Sequence, residues 1–155
     1  MSQVIISSLE ELIRYEGQEL GVSPYYQVTQ PQINLFAEAT LDHQWIHVDP
    51  ERARRESPFQ TPIAHGYLTL SLLPYLWMQV VTINNLKLQV NYEIESLRFN
   101  QPVKVDSYVR LRAKVLSVKD LRGVAKTRIE VTLEIQDQPK AAYTGVITFL
   151  YHFEK

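Results

Sequence analysis

The chain has 155 residues, 16 of them basic and 17 acidic for a formal charge of -1, and it contains no cysteine. That length suits one domain, spanning residues 1–155, with a sizeable core, and the near balance of charge argues against nucleic-acid binding as its main business. The lack of cysteine excludes disulfides, thiolate metal sites and a cysteine nucleophile, and suits the cytoplasm, the expected location.

Met1-Ser2-Gln3-Val4-Ile5-Ile6 is short, carries no charged side chain and is soon followed by Glu10 and Glu11, so no secretory leader is expected. Ser8 and Glu11 have capping-box spacing, which predicts a short helix that stops at Gly17 or Gly21. Tyr25 to Thr29 is rich in strand formers. Thr29, with Pro31 in the first turn, then opens a helix carrying Ile33, Phe36, Ala37 and Ala39; it ends by Thr40 and delivers Asp42 onto a loop. Asp49 caps another short helix with Pro50 at its first position. Ser57-Pro58 and Thr61-Pro62 keep the next segment extended.

From Gly66 to about Val81 the sequence is apolar nearly all round, so this helix must be enclosed, and Pro74 should kink or divide it. The same apolar stretch is too short to cross a bilayer, which takes about 20 residues, so no membrane partner is expected. After Asn84-Asn85 the period changes. Leu86–Tyr92 and Ser96–Phe99 supply strand; Val103, Val105, Val109, Leu111, Ala113 and Val115 alternate with polar residues, and Ala125, Ile129, Val131, Leu133 and Ile135 repeat the pattern. Asp120 and Gly123 between them predict a hairpin, and Ala142 to Phe153 forms a last strand covered on both faces. The whole is an α+β pattern in which an antiparallel sheet wraps one long helix.

Chemistry concentrates between residues 42 and 66. In Asp42-His43-Gln44-Trp45-Ile46-His47 a carboxylate and an imidazole stand close enough to hold and activate a water. Gly66 begins the enclosed helix; with no Cβ it lets a carbonyl approach a free backbone N–H, where the helix dipole favours an oxyanion. His43 and His47, with Asp42 and Asp49 nearby, have metal-pair spacing, but that needs a helix and a third ligand, and Asp49-Pro50 points to a loop; no metal is expected. His65 reads as a histidine bonded to backbone, with a place in the oxyanion or substrate-binding set as the alternative. Asn91 and Arg98 line the site or order a dimer. Trp45, Trp77 and Tyr67 read as packing residues, Trp45 with the further option of shaping a pocket beside the Asp42/His47 pair. Arg52, Arg54 and Arg55 form a solvated face or meet a phosphorylated small molecule.

Phe36-Ala37-Glu38-Ala39-Thr40, Asp42 through Ala53, Ile63 through Ser71, Asn91-Tyr92 and Arg98-Phe99-x-x-Pro102-Val103 together resemble the MaoC-like dehydratases, most closely the NodN-like branch, from about Glu16 to the last strand. The resemblance implies a hot-dog fold, a homodimer with joined sheets and active sites at the subunit boundary, and (R)-specific hydration of trans-2-enoyl thioesters of coenzyme A or an acyl carrier, or the reverse dehydration. Coenzyme A then enters as part of the substrate, and no separate cofactor is implied. Asp42 and His47 match the family's catalytic pair and Gly66 its oxyanion glycine. Gln44 and Trp45 depart from the family pattern Asp-x-Asn-Pro-x-His. Two other outcomes are a hot-dog thioesterase, which attacks the carbonyl instead of C3, and a non-catalytic acyl-thioester-binding protein. The Asp-x4-His signature favours the hydratase, and retention of both residues speaks against the binder.

Overall fold

The computed structural model describes residues 3–154; Met1 and Ser2, at the head of the stretch considered above as a leader, and Lys155 lie outside the described residues. β1 (Val4–Ile6) leads into α1 (Leu9–Arg14), where the Ser8 hydroxyl accepts the Glu11 N–H at 3.2 Å. The Glu11 carboxylate reaches back to the Ser7 N–H at 2.6 Å, one residue before the cap, so the capping box is present in a shifted form. β2 (Glu19–Val22) and β3 (Tyr26–Gln27) follow. The strand expected over Tyr25–Thr29 shrinks to two residues because Thr29 is committed to capping α2 (Gln30–Thr40), its hydroxyl accepting the Gln32 N–H.

α3 (Trp45–Val48) is a single helical turn where a loop was expected. Asp49 makes this possible by serving two helices. Its N–H donates to the Trp45 carbonyl at 3.0 Å, closing α3, while its carboxylate accepts the Arg52 N–H at 3.0 Å and caps α4 (Pro50–Glu56). The enclosed helix is divided, as Pro74 demands, into α5 (Gly66–Ser71) and α6 (Leu73–Val80) with the break at Leu72. β4 (Val81–Ile83) then pairs parallel with β1. Three-residue strands carry too few alternations to show in a periodicity, and neither of these was anticipated.

β5 (Leu86–Phe99) runs as one strand through the break expected at residues 93–95. It does so by shifting register against β8 at Asn91/Glu93 and again at Ile94/Ser96, which scrambles the alternation without ending the strand. β6 (Tyr108–Asp120) begins five residues later than Val103, because Asp106 takes φ 65° and turns the chain; Val103 is buried all the same, which is why the pattern ran on. β7 (Val124–Ile135) and β8 (Tyr143–Phe153) complete the sheet in the order β2-β6-β7-β8-β5, with β3 also on β6. The β6–β7 hairpin closes through positive φ at both Arg122 (59°) and Gly123 (95°), the signature of a type I′ turn.

One core joins the two layers. Leu68, Leu72, Leu73, Leu76, Trp77 and Val80 from the divided helix pack with Val109, Leu111, Val115, Ile129, Leu133, Phe149 and Tyr151 from the sheet. The helix face toward the sheet is thereby covered by strands whose inner positions alternate with solvent-facing ones, but Tyr67, Tyr75 and Met78 stand exposed, so the helix is not enclosed all round as expected. Among the described residues no helix is long and apolar enough to cross a membrane. Gly145 marks the place where β8 meets the bulged β5 most tightly: a Cβ there would collide with the Ser96 carbonyl oxygen, a backbone atom that cannot swing aside. Gly145→Ala should therefore destabilise the fold by about 1–3 kcal/mol, the usual range for overpacking. A urea-unfolding midpoint equal to that of the parent protein would show that the bulge yields freely.

Candidate active site

Two of the site's groups come from the passage between α2 and α3. α2 ends at Leu41, which takes φ 62° in the left-handed region and turns the chain so that Asp42 leaves the helix axis. The Asp42 side chain is about half exposed, at 51%, and accepts the Gln44 N–H at 3.3 Å, a local turn that orients the carboxylate. His47, on the α3 turn, is buried. Its Nδ1 lies 2.6 Å from the Ile63 carbonyl oxygen, which can only accept, so Nδ1 carries the proton and Nε2 keeps its lone pair. Burial lowers the His47 pKa below its usual 6.5; the Ile63 carbonyl and the Asp42 charge pull the other way, and His65 adds to the lowering. The result is an imidazole that stays neutral, with one free basic nitrogen.

The third and fourth groups come from the segment entering α5. His65, 2% exposed, stacks on His47 with ring centroids 3.9 Å apart and planes at 25°. Its Nε2–H donates to the Asp42 carbonyl at 3.0 Å, and the Asp42 carboxylate lies 4.0 Å from the same nitrogen. Bonding to backbone was the expected role of His65; that the partner is Asp42 itself could not be read from sequence. Gly66 follows as the first residue of α5, and among the described residues no side chain caps this helix. A Cβ on Gly66 would sit 3.1 Å from the Phe99 ring, so glycine lets that ring close down on the helix start. His47, Gly66, Thr69, Phe99 and Val103 line one cavity of about 410 Å³.

The other sequence-derived candidates fall elsewhere. Asn91, exposed on β5, lines a separate cleft of about 590 Å³ between the α5–α6 junction and β5, with Leu70, Pro74 and Ile94. Arg98 is exposed near the end of the same strand. His43 points to the surface and pairs with Glu38 at 2.8 Å, away from His47. The metal reading shifts accordingly to Asp42, His47 and His65, whose ligand-type atoms lie within 4.8 Å of one another. One nitrogen of each ring is already engaged as a donor to a backbone carbonyl, which leaves each histidine a single nitrogen to offer an ion. Trp77 packs in the core as expected, whereas Tyr67 is 70% exposed, so its role as a packing residue is corrected: it stands edge-on to Phe99 at the rim of the cavity. Trp45 is half-buried beneath the Arg52 guanidinium, 4.4 Å from the ring centroid. Phe99 and Thr69 escaped the sequence reading as site residues; the Arg98-Phe99-x-x-Pro102-Val103 motif was the only signal for the first.

A buried imidazole and a carboxylate stand beside the glycine that starts the central helix, and the sheet wrapped on that helix is a hot-dog fold. The model of the MaoC like domain matches residues 14–136, and the chain belongs to the MaoC-like dehydratase family. It is 44% identical over 136 residues to 3-hydroxyacyl-thioester dehydratase Z of Mycobacterium tuberculosis, covering 87% of this chain and 89% of that one. It is 46% identical over 141 residues to nodulation protein N of Rhizobium leguminosarum bv. viciae, covering 89% and 87%. Among solved structures, the (R)-hydratase PhaJ1 of Pseudomonas aeruginosa superposes with a TM-score of 0.75 at 22% identity over 96% of this chain and 86% of that one, a likeness of fold.

The tautomer and burial of His47 have a direct spectroscopic consequence. Its ring should titrate in NMR below 6.5, with the neutral Nδ1–H form dominant at pH 7. A midpoint at or above 6.5 would contradict the burial that sets the site.

Proposed function

We propose that the protein catalyses (R)-specific hydration of trans-2-enoyl thioesters of coenzyme A or an acyl carrier, or the reverse dehydration, in the cytoplasm and with no cofactor beyond the carrier itself. The observation that supports this reading most is that the His47 ring and Gly66 line the same cavity, the ring with its free lone pair on Nε2. In the hydration direction that Nε2 takes a proton from water as the water oxygen bonds to C3. The C2=C3 electrons shift to the thioester oxygen, giving an enolate beside the Gly66 N–H. C2 then receives a proton from the Asp42/His47 pair, and the thioester carbonyl reforms. Asp42, exposed at the edge of the site, orients the water and offsets the charge that builds on His47. The names of the relatives, a 3-hydroxyacyl-thioester dehydratase among them, support the same chemistry.

The working form in this reading is a homodimer. β5 ends the sheet and exposes Leu88, Val90, Tyr92, Ile94 and Phe99, beside the 590 Å³ cleft that Asn91 lines. An apolar strand edge of this length would pair with another chain if left open, and a second copy covers it by joining the sheets.

Purified protein supplied with crotonyl- or longer enoyl-coenzyme A should consume the enoyl absorbance and yield the (R)-3-hydroxy product. Asp42→Asn and His47→Gln should each lower kcat by about 10²–10⁴, the scale of lost acid–base catalysis; parental rates in both variants would sink the mechanism. Release of free thiol without enoyl loss would select a thioesterase, and saturable binding without either would select a binding protein. On size exclusion the parent should elute as a dimer and Ile94→Lys as a folded monomer. A monomeric parent would refute the homodimer, and a variant that still dimerises would place the contact elsewhere.

A further inference from the structure

The Asp42 carboxylate and the His47 ring approach one another across His65, which touches both. Its ring lies against His47 face to face at 3.9 Å, and its Nε2–H donates to the Asp42 carbonyl at 3.0 Å. Because a carbonyl can only accept, this bond fixes the ring proton of His65 on Nε2 and leaves Nδ1 as a bare acceptor; Nδ1 is buried and has no partner among the described residues. Phe36 closes the other side of the ring, with centroids 5.0 Å apart. The ring is therefore clamped by apolar packing, and its one hydrogen bond reaches 23 residues back along the chain.

The segment it reaches has little else to hold it. Leu41, just before Asp42, is 80% exposed and sits at φ 62°, a conformation that a branched side chain does not favour. The Asp42 side chain is half exposed and bonds only to a neighbouring N–H within its own turn. Packing thus does not explain where the carboxylate sits. The bond from His65 does.

We propose that His65 is a positioning residue: through its Nε2–H on the Asp42 carbonyl it holds the Asp42 carboxylate beside the His47 ring. In kinetic terms this rests on the hydratase reading above; in structural terms it is independent of it. The groups that face the His47 ring are Asp42 from the turn after α2, His65 from the start of α5 and the Ile63 carbonyl, and only the first of these depends on His65 for its place.

The test is a cycle of variants. His65→Phe keeps an aromatic ring for the stack and removes the donor, while His65→Gln keeps a donor and removes the ring. In the parent background Asp42→Asn should lower the His47 titration midpoint in NMR, since the carboxylate raises it. In His65→Phe that response should vanish, and in His65→Gln it should persist. The rate should follow: His65→Phe lowers kcat about 10–100-fold with KM little changed, as expected for a misplaced catalytic group, and the loss shrinks to about threefold or less when Asp42 is already Asn, because groups acting as a unit are not additive. A full-sized Asp42 response in His65→Phe, its loss in His65→Gln, or kcat losses that simply multiply would overturn the proposal. Should His65→Phe fail to fold, His65→Met takes its place as the variant without a donor: a lost Asp42 response supports the tie and a full-sized one refutes it. A protein that hydrates no enoyl thioester would refute the proposed function, and the NMR cycle would still decide the role of His65.

Discussion

The hydrogen bond from the His47 ring to the Ile63 carbonyl, 2.6 Å long, ties the α3 turn to the extended segment that leads into α5. Ile63 returns the contact by donating its own N–H to the Ile46 carbonyl at 3.1 Å, so the α3 turn is clasped at two points. On its other side the same extended segment is held by bonds from the Ala64 N–H to Val103 and from the Val105 N–H to Pro62, at 2.8 and 3.0 Å. A four-residue turn such as α3 has no stability of its own, because the ordering of its backbone outweighs the single bond or two it can form. It exists where it does because Ile63 grips it, Asp49 closes it and Gln30 donates to the His47 carbonyl at 2.8 Å. Three residues after Ile63 comes Gly66. One extended strap thus sets the distance between the base and the helix start.

The strap explains which parts of this protein were legible in the sequence. Asp42, His47 and Gly66 could be named as candidates because the chemistry proposed for them resides in residue type and spacing. The central helix and its division could be named because Pro74 interrupts an apolar run. The extended entry of the strap was legible from Thr61-Pro62 but its partners were not, since apart from the His47 ring its bonds join backbone groups, which any residue supplies. Val103 and Val105 were assigned to a long strand on good grounds, as Val103 is buried; but they serve the strap, and Asp106 at φ 65° separates them from β6. β5 misled in the opposite way: two shifts of register broke the alternation, so one strand looked like two. His65 illustrates a third limit. A histidine before a helix is compatible with many partners, and only the folded chain shows that its partners are Asp42 and His47.

The contrast between the two members of the pair follows from the same architecture. His47 is pressed inward by the strap and by the His65 stack, so its surroundings penalise a charged ring and keep it a base at neutral pH. Asp42, on the outward side of His65, retains contact with solvent, with 51% of its side chain exposed. In the proposed reaction, proton transfer to His47 moves positive charge onto a ring whose burial disfavours it. That movement is unfavourable unless a negative group stays close, and Asp42 is the charged side chain that raises the His47 pKa. The residue that keeps Asp42 close is itself buried, aromatic and bonded to its backbone. Holding a half-exposed carboxylate by its main-chain carbonyl leaves both carboxylate oxygens outside the tie, one of them accepting from Gln44 at the turn and the other 4.0 Å from the His65 nitrogen. A side chain fixed in this way is placed by its backbone and remains able to exchange partners, as the water-holding and proton-moving role proposed for Asp42 requires.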